Sequence, residues 1–423
     1  MKITVVGMGY IGLPTAVTIA SAGLPVYGYD IQEERINDIL NGKIKIVEEG
    51  LNEKLAEVLG RGLLRVGTKL ENGSDVYLIV VSTSLQEERN EIDLNALRNA
   101  SEKVGKVLEK GNLVIVESTV VPGTTENVVR PILEKTSGLV CSRDFYLVFS
   151  PERVLPGNLM YELVHNDRII GGVCPRSAEM ARDFYAKFVK GRLHLTNVRT
   201  AEMAKLMENT YRTVNIALAN ELALIAEKYG VNVYEAIRLA NTHPRVHLHQ
   251  PGPGVGGYCL TKDPWFLIQN FKHSRIIKDA MEINAWMPEH VVELAEEALV
   301  KVGKTLKNAK VCILGLAYKG NVSDARESPG YEIYLKLRKK GAEVTIHDPF
   351  VLEYMGYYPV RDLYEAVRNA DAVIIATEHN FYRTLDWERI KTLMNSEPVV
   401  IDTRNLTPDA IEGIHLRKLG VGK

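Results

Sequence analysis

The residue best suited by type and setting to covalent chemistry is Cys259. It lies in the segment Gln250-Pro-Gly-Pro-Gly-Val-Gly-Gly-Tyr-Cys-Leu-Thr-Lys-Asp263. Glycines and prolines on both sides of Val255 make a loop that exposes backbone N–H groups and lets a ligand come close to the main chain. A helix start is expected at Pro264, and a thiol near a helix N-terminus gains thiolate character. Asp263 would then lie one helical turn from Cys259. The plain alternative is a structural turn carrying a buried cysteine, and the segment alone supports both.

The other cysteines, Cys141, Cys174 and Cys312, match no zinc spacing and no disulfide framework. They read as buried small apolar residues, and a Cys141–Cys174 bridge depends on folded geometry. No metal site is expected.

A second chemical signal opens the chain. Gly7-Met8-Gly9-Tyr10-Ile11-Gly12 follows the strand-like Ile3–Val6 and begins the helical stretch 11–22. In that setting Gly7 allows the tight turn, Gly9 lets a pyrophosphate reach the backbone, and Gly12 lets helix pack on strand. The helix N-terminus faces the phosphates. Asp30 ends the second strand, where a carboxylate suits a ribose 2′-hydroxyl and repels a 2′-phosphate. The expected cofactor is NAD rather than NADP. Farther on, Leu314-Gly315-Leu316-Ala317 follows a strand without completing the fingerprint. The last third is therefore expected to hold a nucleotide differently.

The elements that must position these residues alternate. Strand patterns at 25–29, 76–81 and 113–117 are separated by helical ones such as 33–40, as in a doubly wound sheet. From Thr200 the pattern turns helical, at 200–228, 233–241 and 264–286. Strand and helix patterns then resume: 310–314, 332–340, 343–346, 372–376 and 399–402. The reading is α/β, with two Rossmann-like doubly wound parallel-sheet domains joined by a central long-helix region. The expected divisions are 1–199 for the NAD domain, 200–300 for the central region and 301–423 for the C-terminal domain. The long helix is expected to bridge domains and to form a subunit interface.

The net charge of -1 favours neither nucleic acid nor an acidic membrane as partner. No apolar run is long enough for a transmembrane helix. Met1-Lys2 leads straight into a strand-like run, not a signal peptide, so the cytoplasm is expected. Few glutamines and many charges hint at a heat-adapted source.

The chain resembles the UDP-glucose/GDP-mannose dehydrogenase family from end to end. The resemblance rests on Gly7–Gly12, Ser118-Thr-Val-Val-Pro-Gly123, Ser150-Pro-Glu152, Glu202-Met-Ala-Lys-Leu-Met-Glu-Asn209, Gly254–Asp263 and Gly315–Pro329. It implies a four-electron oxidation of a primary alcohol to a carboxylate, with Cys259 forming a thiohemiacetal and then a thioester. It also implies roles for other residues. Lys205 and Asn209, on one helix face, stabilise oxyanions. Asp263 handles protons and water beside Lys205, Glu152 acts as acid/base in hydrolysis, and Thr119 positions water or substrate. For Glu202 the expectation stays a solvated partner of Lys205.

Carried over by position, the cofactor contacts are Gly7, Gly9, Tyr10, Ile11, Gly12, Asp30, Arg35, Thr83, Thr119 and Arg326. Substrate contacts are Glu152, Arg153, Val154, Lys205, Asn209, Arg245, Gly256, Tyr318, Lys319 and Arg404. Arg245 in the family often reaches the neighbouring subunit's site, which implies a homodimer or higher homo-oligomer. Basic residues suit a UDP diphosphate. Ser150-Pro-Glu-Arg-Val-Leu-Pro-Gly157 departs from UDP-glucose members, which usually have phenylalanine at Arg153 and glutamate at Pro156. With Asn166–Gly172 and His243–Val246 it resembles the branch acting on UDP-N-acetyl-D-mannosamine, with Arg153 near the acetamido group.

The alternatives are a UDP-N-acetylglucosamine or UDP-glucose 6-dehydrogenase, a two-electron β-hydroxyacid dehydrogenase and a non-catalytic nucleotide-sugar sensor. A β-hydroxyacid dehydrogenase needs neither the cysteine loop nor the second α/β domain. A sensor has no need of Cys259 or Lys205, and both are present.

Overall fold

The computed structural model describes residues 1–44, 46, 48–86 and 91–422. They form two compact units. One comprises Met1–Glu208 with Trp265–Asn270, and the other Asn209–Pro264 with Phe271–Lys423. The helix Val198–Tyr229 gives its first part to one unit and its last part to the other.

In the first unit the strands are β1 (Ile3–Val6), β2 (Val26–Tyr29), β3 (Leu64–Gly67), β4 (Val76–Ile79), the short pair β5 (Ser84–Gln86) and β6 (Glu91–Asp93), then β7 (Leu113–Val116), β8 (Tyr146–Phe149), β9 (Arg168–Gly172) and β10 (Leu193–Asn197). The main sheet has the order β10-β9-β8-β7-β4-β1-β2-β3. From β3 to β8 every pairing is parallel, and β9 joins β8 antiparallel. The order reverses between β1 and β4, the switch point where such sheets bind ligands.

The apolar runs follow from burial on both faces. Val76 and Leu78 face one core while Tyr77 and Ile79 face the other, and all four are 2% exposed or less. A strand covered on both sides has no reason to alternate with polar residues.

The second unit repeats the logic with β11 (Lys310–Leu314), β12 (Glu343–His347), β13 (Ala372–Ile375), β14 (Val399–Asp402) and β15 (His415–Lys418). Their order is β12-β11-β13-β14-β15, all parallel. Val311 and Ile313 enter one core, Cys312 and Leu314 the other. The doubly wound reading holds for both sheets.

Two expectations change. The helical stretch 264–286 is two helices, Asp263–Ile268 and Arg275–Lys301. The chain leaves the second unit for Trp265–Asn270 and returns at Phe271, so tertiary packing interrupts a continuous helical pattern. Cys174 is half-buried at the N-cap of Pro175–Tyr185, its Sγ 3.2 Å from Ser177 Oγ, because a helix start is a polar place. Cys141 and Cys312 are buried, and Cys141 and Cys174 are free thiols. No helix of the described residues is long and apolar enough to cross a membrane.

Candidate active site

The glycine fingerprint has the geometry its spacing requires. Gly7 holds φ +100°, and a Cβ there would meet the Val80 carbonyl at 2.6 Å. A Cβ on Gly12 would sit 1.8 Å from the Gly7 oxygen, so only glycine lets the helix Gly12–Ser21 start so close to β1. Gly9 has nothing within 4 Å of its Cβ position, which leaves its backbone open. Tyr10 and Ile11 complete the turn.

Asp30 is 4% exposed at the end of β2. Its Oδ2 accepts the Met8 N–H and Arg35 Nη1, both at 2.8 Å, and Oδ1 accepts the Gln32 N–H at 2.9 Å. The carboxylate thus ties down the glycine turn and keeps acceptor capacity on Oδ1. On the β4 and β7 side of the switch point, Thr83 donates its hydroxyl to the Thr119 carbonyl at 2.8 Å. An open glycine backbone, a helix N-terminus and a carboxylate after β2 fit a dinucleotide.

The remaining first-unit residues cluster after β8. Lys205 Nζ donates to the Glu152 carbonyl at 2.6 Å. The Glu152 side chain accepts from Arg168 Nη2 at 2.8 Å and from the Arg153 N–H at 2.7 Å. Arg153 pairs with Glu208 at 2.6 Å and donates to the Asp167 carbonyl at 2.9 Å. Val154 packs on the core beneath.

Glu202 is not a solvated partner of Lys205. It is fully buried, and its carboxylate accepts the N–H groups of Gly123 and Thr125. Burial raises its pKa against those hydrogen bonds. The physical reason is the loop after β7, whose backbone donors need an acceptor away from water. Glu48 carries no mark of its role in the sequence. Buried, it accepts from Tyr10 Oη at 2.9 Å and from the N–H groups of Gly157 and Leu159, joining the fingerprint to the Glu152 segment.

The second unit carries the thiol. Cys259 is exposed. Its carbonyl accepts the Asp263 N–H at 2.9 Å, the single helical turn expected between them. Asp263 is fully buried and accepts from Asn209 Nδ2 at 2.6 Å, and Lys262 Nζ lies 3.9 Å from its other oxygen. The loop beyond is shaped by glycine. Gly257 (φ +85°) would place a Cβ 2.8 Å from the Tyr318 ring, and Gly256 one 2.5 Å from the Glu327 carbonyl.

Asn220 and Asn284, both buried, hold this loop from behind. Gly252 donates its N–H to Asn220 Oδ1, and Asn220 donates to Asn284 Oδ1, each at 2.9 Å. Pro288, inside the helix Arg275–Lys301, cannot bond the Asn284 carbonyl one turn back. Gly254 passes at that point, its Cβ position 3.1 Å from the Asn284 oxygen. A proline and an asparagine four apart in a helical pattern were the available signal.

Arg326 lies in this unit, bridged to Asp324 at 2.6 Å and 5.4 Å over the Tyr258 ring. Tyr318 and Lys319 follow β11, and burial pushes the Tyr318 hydroxyl up to about 12. Arg404, after β14, donates Nε to the Ala376 carbonyl at 2.9 Å. Arg245 is exposed, and its N–H meets His243 Nδ1 at 3.3 Å.

The two sheets differ where the sequence expected a difference. Asp348 follows β12 as Asp30 follows β2. It accepts from the N–H groups of Leu316, Ala317, Phe350 and Val351 and pairs with His379 Nε2 at 3.1 Å. Those donors saturate a carboxylate's roughly four lone-pair sites. No acceptor is left there of the kind that Asp30 keeps on Oδ1.

Family models of the UDP-glucose/GDP-mannose dehydrogenases match three stretches: the NAD binding domain at residues 1–189, the central domain at 199–286 and the UDP binding domain at 312–409. The chain belongs to this family. As a member it is an NAD-dependent oxidoreductase. It is 47% identical, over all of both chains, to the UDP-N-acetyl-D-mannosamine dehydrogenase of Pyrococcus horikoshii. It is 44% identical to that of Methanocaldococcus jannaschii, over all of this chain and 97% of the relative. The P. horikoshii structure superposes with a TM-score of 0.94 at 46% identity, covering 99% of each chain. A UDP-glucose dehydrogenase from Pyrobaculum islandicum gives 0.86 at 30% identity, covering 99% of this chain and 97% of that one.

Proposed function

We propose that this protein oxidises the C6 hydroxymethyl of UDP-N-acetyl-D-mannosamine to a carboxylate through a Cys259 thioester, giving UDP-N-acetyl-D-mannosaminuronate. The observation that carries the sugar assignment is full-length identity of 47% to a relative of that name.

NAD, when bound against Gly7, Gly9, Gly12 and Asp30, supplies hydride acceptance in both oxidations. Thr83, Thr119, Arg35 and Arg326 are proposed as further contacts. Asp263, held by Asn209, takes the proton of the alcohol and helps to hold the attacking water. The thiolate of Cys259 adds to the aldehyde carbon, and the Lys205 ammonium and the Asn209 amide stabilise the oxyanion. In hydrolysis Glu152 takes a proton from water as the C–O bond forms, and the C–S bond then breaks to return the thiol. Thr119 orients that water.

Arg245, Gly256, Tyr318, Lys319 and Arg404 are proposed to bind the UDP-sugar, with Arg153 and Val154 at the sugar. Arg153 is already fixed by Glu208 and Asp167, so it meets the acetamido group as a pre-oriented donor. By role the chain divides at 1–199, 200–300 and 301–423, and the reaction belongs in the cytoplasm.

A second copy is proposed to cover the long helix. Met203, Met207, Tyr211, Leu218, Ile225 and Tyr229 are 42% to 75% exposed and, at spacings of four and seven, share one face.

Steady-state assays of UDP-N-acetylmannosamine, UDP-N-acetylglucosamine and UDP-glucose test the sugar assignment. The first is expected to lead in kcat/KM by about tenfold or more, the scale of one well-placed polar contact. Equal or better use of UDP-glucose contradicts it. Arg153→Phe is expected to erode the preference.

A further inference from the structure

The reading above makes Glu152 the base of thioester hydrolysis, and this inference rests on it. Glu152 is not alone in its corner of the first unit. Arg168, 5% exposed, donates Nη2 to Glu152 Oε2 at 2.8 Å and Nη1 to Glu117 Oε1 at 3.1 Å. Tyr185 donates its hydroxyl to the same Glu117 oxygen at 2.7 Å, and the Arg168 guanidinium lies 4.5 Å over the Tyr185 ring. Glu117 is fully buried, and its Oε2 has no hydrogen-bond partner among the described residues.

Two carboxylates therefore divide one guanidinium, Glu117 out of reach of water and Glu152 at the partly exposed edge of the cluster. With both ionised, the cluster carries a net buried negative charge, and an unsolvated carboxylate oxygen costs far more ionised than protonated. Burial raises Glu117 to about 7, Arg168 opposing the rise and Glu152 adding to it. Burial keeps the Tyr185 hydroxyl well above 10, so it remains a donor. The other charged groups facing Glu152 are the Lys205 ammonium on its carbonyl and the Arg153–Glu208 pair beside it.

We propose that Glu117, Arg168 and Tyr185 form a buried charge-sharing cluster that orients Glu152 and sets its basicity. All three act through Glu152 and are positioning residues. When Glu117 carries a proton, Arg168 serves Glu152 alone and compensates its charge in full. When Glu117 ionises, the guanidinium is divided between two anions, and the Glu152 carboxylate is left freer to draw on the attacking water. A residue with no path to substrate thereby controls the last chemical step.

The test follows the pH dependence of single-turnover thioester breakdown, using the UDP-sugar turned over fastest. Below about pH 7 Glu117 is protonated, so its effect shows as a rise in rate through about pH 7 rather than in the acid limb. Glu117→Gln leaves Arg168 wholly to Glu152 at every pH and is expected to lose that rise. Tyr185→Phe and Arg168→Gln each remove a group that favours ionised Glu117 and are expected to move the rise to higher pH. A structural role alone lowers the thermal midpoint or the plateau rate and leaves the rise in place. A rise that persists unmoved in folded Glu117→Gln and Tyr185→Phe overturns the proposal. Glu152→Gln separates the two claims, since with Glu152 as base the Cys259 thioester accumulates in intact-mass spectra. No accumulation overturns the base assignment and the inference with it. Accumulation together with an unmoved rise near pH 7 overturns the inference alone.

Discussion

Cys259 differs from Cys141 and Cys312 in being exposed rather than enclosed by core, and a nucleophile has to be reached. Cys259→Ala is expected to abolish carboxylate formation, a loss of about a thousandfold or more as for other covalent nucleophiles. Quantifying the uronate product checks it, and a carboxylate yield within tenfold of wild type contradicts it. Asp30 makes a second residue-scale claim, because its carboxylate fixes the Met8 N–H and keeps acceptor capacity on Oδ1, which is proposed to take a ribose hydroxyl. Asp30→Ala is expected to raise KM for NAD about tenfold or more and to relax the rejection of NADP, read from initial rates with each cofactor. Types and spacing marked these residues as candidates: a glycine fingerprint between strand and helix, and a cysteine after a glycine loop. Glu202, Glu48, Asn220 and Glu117 were not legible. Each acts through a partner distant in sequence, and a carboxylate on a helical pattern looks the same whether it faces water or caps a buried loop.

At the scale of elements, the strands were readable because burial on both faces removes polar alternation. The break between Ile268 and Arg275 was not, because the apolar spacing continues while the chain passes between units. The reversed edge strand β9 was likewise hidden, since strand direction leaves no mark on composition. The glycine loop carries an element-scale prediction. Gly256→Ala puts a methyl 2.5 Å from the Glu327 carbonyl, backbone that cannot swing aside. Overpacking of this kind costs about 1–3 kcal/mol. Activity is expected to fall much further than the thermal midpoint, because the displaced loop carries Cys259. Matched rate and melting measurements check this, and unchanged kcat with a normal midpoint contradicts the fit.

For the whole molecule, the exposed stripe along Val198–Tyr229 predicts that the protein is not a monomer. Tyr211→Glu with Leu218→Glu is expected to halve the mass seen by light scattering. A monomeric wild-type protein contradicts the interface. Stability also has a pH signature. Glu117 titrates at about 7 when folded against an ordinary 4.5, so the folded state holds more protons between those values and stability falls as pH rises through them. Glu117→Gln removes that slope. The midpoint difference, variant minus wild type, is expected to grow from about pH 4.5 to 7 and then level off. Denaturation across that range reads it, and a flat difference contradicts it. The two sheets differ at matching carboxylates: Asp30 keeps acceptor capacity on Oδ1, whereas Asp348 is saturated by its own loops.

The central claim is that one active site carries an alcohol through to a carboxylate by a covalent relay on Cys259. Its most direct test is the number of NADH formed per UDP-N-acetylmannosamine consumed, followed to completion with the product identified by mass. Two NADH per sugar and the uronate are predicted. One NADH per sugar, with an aldehyde or ketone as product, would contradict the account.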